Sequence, residues 1–165
     1  MGKENLFSFV SLSLFILILI CFFLPFTSIT CAGEKVATLT GTDLAFGTQI
    51  KYYDETNFSA KKQRNIDPEW PATLSFILIS AGILLTIFSI LSTKKSNFYI
   101  TLCILSMLSF AFLLVLKFKL DSDVSNQYEA LKLKYEPAYW VSLILSVCIS
   151  IFNFYLFVSK KSEVT

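Results

Sequence analysis

Four long stretches of this chain contain no charged residue. They lie at positions 5–33, 70–93, 96–116 and 137–159, and they hold 29, 24, 21 and 23 residues. Each is rich in leucine, isoleucine, phenylalanine and valine, and each reaches the roughly 20 residues that a helix needs to cross the hydrocarbon core of a bilayer. The pattern therefore predicts an all-α membrane protein, a four-transmembrane-helix bundle. The expected helices are 6–26, 71–93, 97–117 and 138–159.

The composition limits the class of protein further. The chain has 165 residues, 55% of them hydrophobic and 16% charged, with a mean hydropathy of +0.65, so we expect one membrane domain over 1–165. Its 14 basic and 12 acidic residues are dispersed and give a net charge of +2, which argues against a nucleic-acid partner. Because there is no histidine, catalysis and metal binding through imidazole are excluded. We expect no cofactor and no metal.

Two loops, 27–70 and 118–137, are long enough to fold outside the lipid. In the first, Val36–Thr40 and Thr48–Tyr53 are rich in β-branched and aromatic residues, and the glycines between them indicate turns. This loop therefore predicts a small β-hairpin or sheet lying on the bundle.

The second loop shows a helical pattern. Val124, Tyr128, Leu131 and Tyr135 recur at helical spacing, and Asn126 with Glu129 suits a capping box. We expect either a short amphipathic helix or an outward extension of the third span.

Two tryptophans mark one face of the membrane. Trp70 and Trp140 each stand beside a proline at the start of a span, where indole rings favour the membrane interface. Both should anchor the same side of the bilayer, which requires an even number of crossings between them.

The lysines indicate the orientation. Five of them abut helix ends on the side of the two termini, where the positive-inside rule has force, whereas nine basic residues lie in the loops, mostly among acids. The five are Lys3, Lys94, Lys95, Lys160 and Lys161. We expect both termini to be cytoplasmic.

Small polar residues form stripes on the second and fourth spans. They are Ser75, Gly82, Thr86, Ser89 and Thr93 on one helix, and Ser142, Ser146, Ser150 and Asn153 on the other. Such residues let helices approach closely, so helix packing is the favoured interpretation. The alternative is a polar lining shared between protomers.

The four cysteines do not resemble a redox framework. Cys21, Cys103 and Cys148 fall inside apolar spans, where a thiol behaves as a small hydrophobic group, and no C-x-x-C motif occurs. Cys31 alone is expected outside the lipid, as an exoplasmic thiol that is free, lipid-modified or paired with a second chain.

One segment carries a family resemblance. The sequence LPFTSITCAGEKVATLTG, residues 24–41, followed by LAFG at 44–47, resembles a segment of small bacterial multi-pass membrane proteins of uncharacterised function. That resemblance implies a bacterial inner-membrane protein. The order of spans and loops is also similar to claudin and tetraspan proteins, although the Trp and paired Cys of the claudin first loop are absent.

The sequence favours a non-enzymatic membrane protein whose exoplasmic loops bind a membrane-protein partner or another copy of the chain. The second hypothesis is a small transport or pore-forming subunit. The third is an enzyme acting on lipid through acids near the interface, such as Asp67, Glu69 or Glu136, although acids at helix starts are more simply partners of the helix dipole.

Overall fold

The computed structural model describes residues 3–31, 34–53, 61–91, 96–127 and 131–162. Four long helices and one short helix make up most of the chain. They are α1 (Lys3–Phe22), α2 (Gly41–Phe46), α3 (Trp70–Leu91), α4 (Ser96–Gln127) and α5 (Pro137–Ser162). Five strands form two small sheets. They are β1 (Pro25–Cys31), β2 (Glu34–Thr40), β3 (Thr48–Tyr53), β4 (Lys61–Ile66) and β5 (Leu131–Tyr135).

The four long helices pack side by side. Helix α1 contacts α3 and α5, and α4 contacts the same two helices from the opposite side. The interior between them includes the fully buried Phe15, Ile18, Ile79, Leu102 and Ile149. We call the end where α1 finishes and α3 and α5 begin the loop end of the bundle.

Three helices in the described part of the chain contain stretches long and apolar enough to cross a membrane. These stretches are Trp70–Leu91, Phe98–Asp123 and Pro137–Ser159, whereas the apolar stretch Phe7–Phe22 of α1 is shorter. Their outer surfaces expose large apolar side chains, as helices in contact with lipid require. The chain is a mostly helical membrane protein with three candidate spans, and the fourth crossing stays a prediction.

The first predicted span ends too late. Helix α1 ends at Phe22, and residues 25–31 are strand β1 instead of the last turn of a helix 6–26. Pro25 disfavours helical backbone at the residue before it, and the β-branched Thr27, Ile29 and Thr30 suit an extended strand. The third span, by contrast, extends outward to Gln127, which confirms one of the two forms expected for the second loop.

Strand β1 is the centre of a three-stranded antiparallel sheet in the order β2, β1, β5. Ile29 lies opposite Ala37 on one side and Leu133 on the other. The segment 131–135 is therefore a strand, and the helical spacing predicted to include Leu131 and Tyr135 is wrong there. Asn126 lies inside α4, and its predicted capping partner Glu129 lies outside the described residues.

The two strand segments predicted in the first loop are correct and a small sheet is present, but the two segments do not pair with each other as a hairpin. Val36–Thr40 belongs to β2, whereas Thr48–Tyr53 is β3 and pairs with β4 in a separate two-stranded sheet. Between them lies helix α2, where a turn was expected. Thr40 caps α2. The Thr40 hydroxyl accepts a hydrogen bond from the Asp43 amide at 3.0 Å, and the Thr40 amide donates to Asp43 Oδ2 at 2.9 Å.

Candidate functional site

Two backbone hydrogen bonds fasten strand β1 to the start of α5 and helix α2 to the start of α3. The Glu136 amide, just before α5, donates to the Phe26 carbonyl at 2.9 Å, and the Glu69 amide, just before α3, donates to the Leu44 carbonyl at 2.7 Å. Amides in the first turn of a helix have no partner within the helix, so these bonds satisfy them. They also hold the chain segments outside the spans in one position on the bundle.

The sheet has a face toward the bundle and a face away from it. Thr27 lies opposite Leu39 and Tyr135, and Leu39 is buried in the core. The next residue, Ser28, lies opposite Thr38 and Lys134, so these three share the other face. We call this the outer face, and Thr38 and Lys134 are exposed on it.

Glu136 connects this outer face to α5. Its Oε1 accepts a hydrogen bond from Lys35 Nζ at 2.8 Å and another from Ser28 Oγ at 2.9 Å. The Lys35 ammonium, and then the Ser28 hydroxyl, lower the pKa of the Glu136 carboxyl below its ordinary value of 4.5. Glu136 is therefore ionised at neutral pH and joins a loop strand to a helix start.

Tyr135 makes a second connection, between β5 and the outer part of α4. Its hydroxyl lies 2.7 Å from Asp121 Oδ1 and 3.0 Å from the Lys117 carbonyl, so its single proton can be donated to either acceptor. Burial, followed by the hydrogen bond to Asp121, raises the pKa of Tyr135. The hydroxyl thus stays protonated as a donor. Lys117 Nζ lies 5.5 Å from the centre of the Tyr135 ring and 3.6 Å from Asp121 Oδ2.

A third connection joins α4 to the start of α3. Lys119 Nζ donates to Glu69 Oε2 at 2.6 Å. Glu69 and Glu136, two of the three acids considered for an enzyme, are therefore each paired with a lysine. The third, Asp67, is exposed just before α3.

Aromatic rings form a layer between the sheet and the bundle. Phe22, Phe26 and Tyr139 are fully buried, with ring centres 4.9 Å apart for the first pair and 5.8 Å for the second. Tyr139 also contacts the Tyr135 ring at 5.0 Å, and its hydroxyl donates to the Leu113 carbonyl at 2.8 Å. The sheet therefore rests on packed rings, which fixes its position.

A pocket of about 290 Å³ opens beside the sheet, between the end of α1 and the start of α5. Its wall is mainly apolar and carries the Lys35 and Glu136 pair. It is lined by Leu24, Pro25, Lys35, Thr38, Glu136, Pro137 and Ala138. Sequence reasoning did not find this pocket, because its walls come from three separate parts of the chain.

The bundle interior contains the predicted stripes. All eight described stripe residues are buried, and Thr93 lies outside the described residues. The buried ones are Ser75, Gly82, Thr86, Ser89, Ser142, Ser146, Ser150 and Asn153. Gly82 lies where α3 packs tightly against α1, since a Cβ atom there would be 2.6 Å from Phe15 Cε1.

Only some of these side chains link helices. Asn153 Oδ1 accepts from Ser11 Oγ at 3.1 Å, Ser150 Oγ lies 3.4 Å from Cys103 Sγ, and Ser75 Oγ donates to the Ser109 carbonyl at 3.4 Å. By contrast, the hydroxyls of Thr86, Ser142 and Ser146 donate to carbonyls of their own helices.

The other two long helices also carry buried polar residues, which sequence reasoning missed. They are Ser8 and Ser11 on α1, and Ser106 and Ser109 on α4. On α1 the signal was present, because Ser8, Ser11, Phe15, Ile18 and Phe22 repeat at intervals of three and four and are all buried.

The hydroxyls of Ser89 and Ser109 are buried without a hydrogen-bond partner in the described structure.

The structure locates both predicted interface tryptophans and three of the four cysteine side chains. Trp70 is 51% exposed and Trp140 is 46% exposed, both at the loop end. Cys21 and Cys103 are buried, but Cys148 is exposed on the surface of α5, so the expectation of a packed thiol is wrong there. Cys31 belongs to β1, and its side chain lies outside the described residues.

Within the described ranges, no group of three or more Cys, Asp or Glu side chains is placed to hold a metal ion. No protein-family model matches the chain, and no curated protein is significantly similar to it.

Proposed function

We propose that the chain is a non-enzymatic integral membrane protein that binds a second membrane protein through the outer face of its loop-end sheet. A partner chain or a second copy of this chain would serve equally as that protein. The observation that carries the proposal is the convergence of both long loops. Strands β1 and β2 from the first loop and β5 from the second form one sheet, whose central strand is fixed to the start of α5.

A sheet that is already held in one conformation supports binding, because the loops lose little further conformational entropy when a partner docks. The sheet presents Thr38 and Lys134 on its outer face, and β2 and β5 are its edge strands among the described residues. Preorganised surfaces lose less conformational entropy on association than mobile loops. Five hydrogen-bonded or ionic connections at this end hold the segments outside the spans in place, which supports a binding role for them.

A four-pass topology completes the proposal. The first uncharged stretch has 29 residues, and α1 occupies the remaining place in the bundle beside α3 and α5. Both termini then lie on one side, which the lysines near the helix ends make the cytoplasmic side. In this proposal the loop-end sheet is exoplasmic, and the resemblance of residues 24–41 to small bacterial membrane proteins supports a bacterial inner membrane as its location.

The ion pairs of Glu69 and Glu136 support a role without catalysis. Glu69 and Glu136 are held by Lys119 and Lys35, and the pKa of Glu136 is lowered, which opposes a role as a general acid. A catalytic carboxyl working near neutral pH would instead need a raised pKa.

Site-specific photocrosslinking in native membranes tests the proposal. A crosslinking amino acid at Lys134, on the outer face, should give an adduct of discrete mass with another protein. The same amino acid at Ile144, which is exposed on the lipid-facing surface of α5, should give much less. Mass spectrometry of the adduct tells a second copy from a different partner. Equal labelling at both positions, or no protein adduct at Lys134, contradicts the proposal.

The second candidate function is a transport or pore-forming subunit, favoured by the polar side chains inside the bundle on all four long helices. Against it, Phe15, Ile18 and Ile79 are 1% exposed and fill the middle of that interior. The four apolar stretches contain no charged residue, so no side chain there could offset the desolvation cost of moving an ion across the membrane.

We therefore expect the purified protein in liposomes to give no ion or small-solute flux above that of empty vesicles. Fluorescent dye release and ion-sensitive dyes provide the measurement. Reproducible flux that is lost in Ser146→Leu, while that variant still folds, would favour the pore.

A further inference from the structure

The pocket beside the sheet lies at the level of the lipid headgroups. Leu24 and Pro25 follow the apolar part of α1, and Pro137 and Ala138 open the candidate span of α5. The exposed Trp140 lies one turn further along α5, where indole rings favour the boundary between hydrocarbon and headgroups. The apolar wall of the pocket therefore meets the outer edge of the hydrocarbon core.

The Lys35 ammonium lies at the rim of this pocket. The Lys35 side chain is 55% exposed, and its Nζ donates one hydrogen bond to Glu136. An ammonium has three donors, and contacts among the described residues use one of them, which leaves two for another anion. Lys134 lies on β5, on the other side of β1 from Lys35, and its charge also contributes to the lowered pKa of Glu136. Lys35 and Glu136 balance each other in charge at the rim, and Lys134, exposed on the outer face, adds one positive charge outside the pocket.

We propose that this pocket binds one anionic phospholipid, with its phosphate on Lys35 and the upper part of an acyl chain against Leu24, Pro25 and Ala138. An apolar wall beside a cation matches the two ends of such a molecule. The volume of about 290 Å³ is at the lower end for small-molecule sites, which suits part of a lipid whose remaining chain lies in the bilayer. The lipid site does not require the partner-binding function, and Thr38 belongs to both the pocket and the outer face.

Native mass spectrometry in detergent tests the site, using phosphatidylglycerol and phosphatidylcholine at equal concentrations. The protein should retain phosphatidylglycerol preferentially. Lys35→Gln should weaken that binding roughly fivefold, the usual contribution of one basic residue at an anionic surface, and Lys35→Arg should preserve it. Lys134→Gln should weaken it less, because Lys134 does not line the pocket.

A second variant tests the apolar wall without removing a charge. Thr38→Phe places a ring in the pocket from an exposed strand position, and it should abolish retention of phosphatidylglycerol. The matched control is Asn65→Phe, on an exposed position of β4 away from the pocket, which should bind lipid as the wild type does. Unfolding temperatures of all variants show that each still folds.

Three results would overturn the proposal. The first is equal retention of both lipids by the wild type. The second is unchanged retention of phosphatidylglycerol in folded Lys35→Gln and Thr38→Phe. The third is full displacement of the lipid by soluble glycerophosphoglycerol at matched concentration, because the site would then recognise a free phosphate ester without using the acyl chain.

Discussion

Gly82→Leu should lower the free energy of unfolding by about 3 kcal/mol, the upper part of the usual range for overpacking a core. A Cβ atom at this position would lie 2.6 Å from Cε1 and 2.8 Å from Cζ of the Phe15 ring. Phe15 is 1% exposed, so its ring has little room to move aside. Helices α1 and α3 must then separate, and the measurement is thermal unfolding in detergent.

A double variant and a matched control make this test specific. Phe15→Ala combined with Gly82→Leu should recover part of the loss, because the space vacated by the ring receives the new side chain. Ala111→Leu introduces the same side chain on the exposed surface of α4 and should change stability little. If Gly82→Leu unfolds at the same temperature as Ala111→Leu, the close approach of α1 to α3 is not required.

The spans were predictable because their signal is local. A run of about 20 uncharged, apolar residues has few alternatives to a membrane helix, whatever the rest of the chain does. The strand segments at Val36–Thr40 and Thr48–Tyr53 were also found, since β-branched composition is a local property. Neither signal contains information about which segments pair.

A small sheet was expected in the first loop, but its central strand β1 and its pairing with β5 were missed for a related reason. The segment Pro25–Cys31 continues an uncharged run, so hydrophobicity assigned its first residues to the membrane, and its partner β5 lies about a hundred residues away in the sequence. Strand β5 itself shows alternation in Leu131, Lys132, Leu133 and Lys134. This alternation predicts a strand, whereas the spacing of Val124, Tyr128 and Leu131 predicts a helix. The sequence alone does not decide between the two at Leu131.

The polar contacts of the candidate site could not be derived from local sequence. Glu136 meets Ser28 and Lys35 only because β1 pairs with β5, and the pocket requires the same arrangement. Helix α2 is a different case, because its capping pair Thr40 and Asp43 was visible three residues apart. The adjacent Gly41 favoured the turn interpretation over the helix start.

Ile29→Pro should detach the loop-end sheet while leaving the helices in the membrane. Ile29 lies in the middle of the central strand, opposite Ala37 and Leu133, and proline there removes the amide that a central strand needs. One lost ladder hydrogen bond with its unpaired acceptor costs about 2 to 3 kcal/mol. Because both loops depend on β1, the loss should spread to β2 and β5 together.

Limited proteolysis with trypsin provides the measurement for this variant. Lys35 and Lys134 are exposed, and they flank β1 on its two sides, so both should be cleaved faster in Ile29→Pro than in the wild type. Ile29→Val keeps the amide and most of the volume, and should cost only about 1 kcal/mol with little change in cleavage. Faster cleavage at only one lysine would show that the two loops fold independently, and the single binding surface proposed for them would then be wrong.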